Sequence, residues 1–218
     1  MNQRLVIGVT GNIACGKSAV VTILRDLGAE AIDADAVYHM LIVQGSRLWQ
    51  RITERFGSDV LSPTGEIDRI ALGRIVFRDA AALQELEQLT HAEVVEEIRR
   101  RLASMTAAVI AIDAVKLIES GLADACDEVW LVTCERNQQI ERLIARNHLS
   151  LDDAMARVAA QSSLDDKLGL AQVVIENSGA IATTRRQVER EWKRLMETRR
   201  GEMAIATQRS ATLGNRSN

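Results

Sequence analysis

Aromatic residues make up only 3% of this 218-residue chain, so few side chains are present on which nucleic-acid bases could stack. Charge offers no alternative route to nucleic acid or to anionic lipid: the formal net charge is −3, and no positive field of the whole molecule results. The three cysteines, Cys15, Cys126 and Cys134, are odd in number and unrelated in spacing. That excludes a disulfide framework and a zinc knuckle, and a reducing cytoplasm is the simplest setting. No run approaches the ~18 apolar residues of a membrane span. Met1-Asn2-Gln3-Arg4 leads directly into an apolar run, so a soluble, unprocessed protein is expected. Histidines 39, 91 and 148 lack metal-ligand spacing, and there is no repeat or long low-complexity tract.

What is present is a core-forming composition, 47% hydrophobic, enough for one compact domain with an insertion or lid. Short apolar runs at Leu5–Val9, Ala108–Ile112, Val129–Val132 and Val173–Ile175, with a weaker one at Ala29–Ile32, alternate with helical patterns. Continuous apolar character marks strands covered on both faces, and the alternating order predicts an α/β fold with a parallel sheet of about five strands. Residues 36–105 read as purely helical: Trp49, Ile52 and Phe56 share one face, and Leu83, Leu86, Val94, Ile98 and Leu102 form a stripe. This segment is expected to be an insertion on a core of residues 1–35 and 106–198. Ser62-Pro63-Thr64-Gly65, with the only proline, is a turn within it. A polar helical stretch over 135–167, with a helix start at Ser150, is expected to be a lid. The last helix is predicted over 180–199, and the tail 199–218, without period, is expected to be disordered or loosely attached.

The stretch Gly11-Asn12-Ile13-Ala14-Cys15-Gly16-Lys17-Ser18 fits G-x-x-x-x-G-K-[ST], with a strand-like run before it and a helix-like run from Ala19 after it. Glycines at both ends let the backbone curl with N–H groups facing an anion. Lys17 supplies charge for the β and γ phosphates, Ser18 offers a hydroxyl to Mg²⁺, and the following helix points its positive end at the same anion. ATP is the expected ligand of Gly11 to Ala19. Cys15, at a helix N-terminus beside Lys17, is a tolerated small residue or, with a lowered thiol pKa, a redox-sensitive one.

Four further residues bear on chemistry. Asp33 ends the second strand, where ligands of open α/β sheets gather, and could accept the proton of an attacking hydroxyl; alternatively Asp33 and Asp35 only cap the next helix. Asp113 ends the strand from Ala108 and is expected near the metal, or is an ordinary strand-end acid. Arg142 and Arg146 stand one helical turn apart with no acid at pairing distance, so they form a phosphate clamp on the lid or a solvated basic face.

The chain resembles the dephospho-coenzyme A kinases over roughly residues 4–195. The resemblance rests on Gly8-Val9-Thr10-Gly11, Asp33-Ala34-Asp35, Gly65-Glu66-Ile67-Asp68-Arg69 with Leu72 and Val76-Phe77, and Thr90-His91. It continues through Leu117-Ile118-Glu119-Ser120-Gly121, Gln138 with Arg142 and Arg146, Gln161 followed by Lys167, and Val174-Ile175 with Asn177. It implies a three-layer P-loop fold and ATP-dependent phosphorylation of the ribose 3′-hydroxyl of dephospho-CoA, the last step of coenzyme A synthesis. It further implies Asp33 as base, Lys17 and Arg142 on the transferred phosphate, Arg146 on the lid and Asn177 near adenine. The insertion would bind the acceptor, with Asp33, Arg69 and His91 at that site; Lys116 is expected there too, contacting phosphate or turning to water. ATP and dephospho-CoA are the expected partners, with Mg²⁺, in a monomer or small homo-oligomer. Val115-Lys116 replaces a proline and a leucine usual in the family, Ala92 a proline, and Gln172 an aspartate; the first pair bears on the acceptor pocket. Another small P-loop nucleoside or nucleotide kinase, a catalytically impaired homologue and an ATP-holding regulator are the competing readings.

Overall fold

The computed structural model describes residues 4–76, 78–159, 161 and 164–214, with side chains described through residue 201. Phe77 and residues 215–218 of the tail lie outside the described residues. Five parallel strands, β1 (Leu5–Thr10), β2 (Glu30–Asp33), β3 (Val109–Asp113), β4 (Glu128–Thr133) and β5 (Val173–Glu176), form one sheet in the order β2-β3-β1-β4-β5. The three central strands are almost wholly buried, because helices cover both faces. Successive residues then divide between two cores. Ile7, Val9, Ala111, Trp130 and Val132 face α1 (Lys17–Asp26) and α9 (Ile181–Gly214), while Val6, Ile110, Ile112 and Val129 face the other layer.

That second layer comes from the segment between β2 and β3, built of α2 (Ala34–Leu41), α3 (Arg47–Phe56), α4 (Arg69–Val76) and α5 (Ala80–Ser104). The stripe of α5 serves two cores: Val95, Ile98 and Leu102 pack with Val37 of α2 on the sheet, whereas Leu83 and Leu86 join Leu48, Ile52, Val60, Leu72 and Val76 in a third cluster. The insertion is thus continuous with the helical layer of the sheet. The turn at Ser62–Gly65 closes with a 2.9 Å bond from Gly65 N–H to Ser62 C=O, and the indole of Trp49 donates to Gly65 C=O at 2.9 Å.

The 135–167 stretch divides into α6 (Arg136–Asn147), α7 (Leu151–Ala159) and α8 (Leu164–Leu168). His148, in the left-handed region with φ 51°, ends α6, and Ser150 starts α7 by accepting from Asp153 N–H at 3.1 Å. One expectation fails at the C-terminus. Helix α9 does not stop near Arg199 but continues through Gly214. The sequence after Arg200 has no apolar stripe, yet Glu202, Met203, Ala204, Ala206, Gln208 and Arg209 are strong helix formers, so propensity carries the helix on where amphipathic period is lacking.

Candidate functional site

The loop between β1 and α1 lies at the carboxyl end of the sheet, beside the point where the chain's strand order reverses around β1. Both of its glycines are required. A Cβ on Gly11 (φ 151°) would stand 2.3 Å from the carbonyl oxygen of Val132, and one on Gly16 (φ 93°) would stand 2.0 Å from the amide nitrogen of Asn177. No side chain caps α1 and its first turn holds no acid. Its positive end therefore faces the loop uncompensated, the arrangement that receives an anion. Lys17 is half-buried and Ser18 is exposed at this mouth.

Parallel register brings the carboxylates to the same place. Asp113 of β3 pairs with Val9 of β1 and with Asp33 of β2. Burial pushes the Asp113 carboxyl up to about 6; Lys17 pulls it down, and Asp33 and Asp35 push it further up. Lys17, Asp33, Asp35 and Asp113 thus form one electrostatic cluster. Asp33, not Asp35, caps α2, accepting from Ala36 N–H at 3.0 Å through Oδ1. The cap and the proposed base are the same residue, and the cap fixes the carboxylate's orientation while Oδ2 makes no bond within the described residues. Asp35 instead lines a cavity of about 260 Å³ with Tyr38, Leu86, His91, Val94 and Lys116.

That cavity holds two of the residues expected at the acceptor, His91 and Lys116, but neither Asp33 nor Arg69. Burial holds the His91 imidazole below its ordinary pKa. The Lys116 ammonium pairs with Glu87 at 3.2 Å, which offsets its charge. Its neighbour Val115 is pinned: the Val115 carbonyl accepts from Thr10 Oγ1 at 3.1 Å and from Lys167 Nζ at 3.2 Å, and Lys167, 2% exposed, also pairs with Glu119 at 3.3 Å. Arg69 lies outside the cavity wall, bonded to the ring of His39, and its charge acts on Tyr38 within the wall.

On the donor side the two arginines end in different places. Arg142 turns inward, donating to Asn177 C=O at 2.8 Å, Gln138 Oε1 at 3.1 Å and Cys15 C=O at 3.5 Å, whereas Arg146 is exposed and donates to Asn147 Oδ1. One turn along a helix sets the two on one side but does not set where long side chains end. Asn177 is 5% exposed and its side chain lies beneath the loop, donating to Cys15 C=O at 2.8 Å and accepting from Thr184 Oγ1 at 2.8 Å. Both ends of its side-chain amide are engaged by protein. The Cys15 thiol, 1% exposed, is raised to about 11, because burial outweighs the charge of Lys17. A reactive, lowered thiol is therefore not what the loop contains. The sequence reading missed the roles of Thr10, Thr184 and Gln161, whose Oε1 accepts from Ile13 N–H at 2.7 Å; each is a polar residue whose partner lies far away in sequence.

Comparison with known proteins places this geometry. The profile of the dephospho-CoA kinase family matches residues 5–183. A dephospho-CoA kinase of Carboxydothermus hydrogenoformans is 41% identical over 186 residues, covering 84% of this chain and 90% of that protein. One of Symbiobacterium thermophilum is 43% identical over 205 residues, covering 93% and 86%. Among solved structures, dephospho-CoA kinase from Campylobacter jejuni superposes with a TM-score of 0.63 at 28% identity, covering 92% of this chain and all (100%) of that one. Protein TT1252 from Thermus thermophilus reaches 0.74 at 30% identity, covering 90% and 98%. A shikimate kinase from Acinetobacter baumannii, at 0.52 and 15% identity, shares the fold. The chain belongs to the dephospho-CoA kinase family.

Proposed function

We propose that the chain transfers the γ-phosphoryl group of ATP to the ribose 3′-hydroxyl of dephospho-CoA, with Asp33 accepting the hydroxyl proton. Family membership supports the reaction and both substrates. The observation that carries the assignment of residues is the strand register, which sets Asp33 opposite Asp113 beside the phosphate loop. The ribose oxygen forms a bond to the γ-phosphorus as the bond to the β–γ bridging oxygen breaks. ADP leaves with that electron pair, and the hydroxyl proton passes to Asp33.

Phosphoryl transfer asks a protein mainly for position and charge. Lys17 and the α1 N-terminus neutralise the triphosphate, and Arg142 holds the loop's flank. The cavity lined by Tyr38, Leu86, Val94 and Val115 suits an apolar arm of the acceptor, with Lys116 and His91 at its polar side. Asp113, crowded by Asp33 and Asp35, sits where a divalent cation would relieve repulsion, so the donor set fits Mg²⁺ held by Ser18 and Asp113, directly or through water. Bound there, Mg²⁺ would supply charge neutralisation to the β and γ phosphates. Among the described residues no helix is long and apolar enough to cross a membrane, and Cys15, Cys126 and Cys134 are free thiols. A cytoplasmic enzyme accords with both.

The test is direct. Protein incubated with ATP, Mg²⁺ and dephospho-CoA should yield ADP and a product one phosphate heavier in equal amounts. ADP released without that product would sink the reading.

A further inference from the structure

We infer that Asn177 and Thr184 are positioning residues that hold the phosphate loop in its anion-receiving shape, Asn177 acting through the Cys15 carbonyl and not by contact with adenine. The inference rests on the loop being the triphosphate site. Four polar groups of Asn177 each have a partner within the chain. Its backbone N–H donates to Thr133 C=O at 2.8 Å, and its C=O accepts from Arg142 Nη2 at 2.8 Å. In the side chain, Nδ2 donates to Cys15 C=O and Oδ1 accepts from the fully buried hydroxyl of Thr184, each at 2.8 Å. The amide orientation is chemically fixed, because the flipped amide would set Oδ1 against the Cys15 oxygen, two acceptors face to face.

The consequence for the loop follows from the planar trans peptide. Cys15 C=O and Gly16 N–H belong to one peptide plane and point in opposite directions. Anchoring the carbonyl below therefore aims the Gly16 N–H upward, to the side on which the loop's inward N–H groups gather around an anion. Without Asn177 the Cys15 carbonyl keeps only the longer 3.5 Å contact from Arg142 Nη1, and Gly16, at φ 93°, lets the peptide turn more readily; its missing Cβ is what admits the Asn177 amide, 2.0 Å from that position. Thr184 lies in the first turn of α9, so the last helix of the core reaches the loop through two side chains.

A support of this kind changes affinity for phosphate irrespective of the base. The experiment measures binding of ATP and of inorganic tripolyphosphate, both with Mg²⁺, to the full chain and to Thr184→Val, Asn177→Ser and Thr184→Ser, together with steady-state kinetics. Thr184→Val and Asn177→Ser should weaken ATP and tripolyphosphate by the same factor, roughly tenfold for the loss of one buried hydrogen bond, with KM for dephospho-CoA unchanged. Thr184→Ser, which keeps the hydroxyl, should bind both as the parent does. Weakening confined to ATP would assign Asn177 to the base and overturn the inference, as would unchanged binding in both variants or failure of Thr184→Ser to restore it. Should Thr184→Val not fold, Thr184→Ala answers the same comparison. Parent protein that binds neither ligand would refute the loop as the triphosphate site, a failure distinct from any pattern among the variants.

Discussion

Asp33 and Asp113 are register partners on adjacent parallel strands, so two carboxylates reach the phosphate loop from neighbouring strand ends. Their surroundings separate them. Asp33 is exposed and holds the N-terminus of α2, whereas Asp113 is half-buried with its carboxyl raised to about 6. An exposed carboxylate with one oxygen tied and one open suits a proton acceptor, and a desolvated one suits the neighbourhood of a cation.

Substitution Asp33→Asn tests the first role with the fold held constant. Asparagine caps a helix about as well as aspartate, so the thermal midpoint should not move, and ATP should bind within a few-fold of its normal affinity. Turnover should fall roughly 10²- to 10⁴-fold, the usual scale for a lost general base. Asp33→Ala should add about 1 kcal/mol of destabilisation from the missing cap. Undiminished turnover in Asp33→Asn would remove Asp33 from the chemistry.

Asp113 makes stability depend on pH in metal-free protein. Its folded pKa of about 6 exceeds the ordinary 3.8, so the folded state binds the proton more tightly and loses stability as pH rises from about 4 through 6. The total is of order 3 kcal/mol. Asp113→Asn should therefore melt higher than the parent at pH 8 in EDTA and alike below pH 4. Denaturant midpoints across pH 3.5–8 check this, and a parent-like pH profile in the variant would place the titration elsewhere.

The difference in legibility between fold and site has a physical source. The runs Leu5–Val9, Ala108–Ile112 and Val129–Val132 are legible as strands because a strand buried on both faces is apolar nearly throughout, and the ends Thr10, Asp113, Glu128 and Thr133 fall outside that signal; Ser150 is legible because a cap acts on its own neighbours. The inward turn of Arg142 onto Asn177 and Cys15 was not readable, since it depends on residues up to 127 positions away. Of the two readings of Cys15, the tolerated small residue fits: its local neighbour Lys17 lowers the pKa, but burial by distant elements dominates. At Asp33 cap and base do not exclude each other, because the two oxygens of one carboxylate allow both.

Cys15 should accordingly be inert. With a pKa near 11, only about one molecule in 10³ carries the thiolate at pH 8, and the sulfur is 1% exposed. Iodoacetamide at that pH should label Cys134, which is partly exposed, at least tenfold faster than Cys15, as mass mapping of peptides would show. Labelling of Cys15 at a rate equal to that of Cys134 would show that the loop opens far more than its supports allow.

We propose that Lys116 takes part in binding the acceptor. The Lys116 side chain is 42% exposed at the cavity and its ammonium pairs with Glu87, while Val115 behind it is fixed by Thr10 and Lys167. A pinned backbone with a partly exposed cation offers a movable charge on a rigid base, able to exchange its carboxylate partner for an anionic group of the acceptor. Lys116→Leu should raise KM for dephospho-CoA roughly tenfold, the worth of one charge-assisted hydrogen bond, and leave KM for ATP unchanged. The parent's acceptor KM should climb with added salt and the variant's should stay nearly flat, because screening acts only where the charge is. Equal salt dependence in the two proteins would mean that Lys116 serves Glu87 alone and that the acceptor's charge is read by another group.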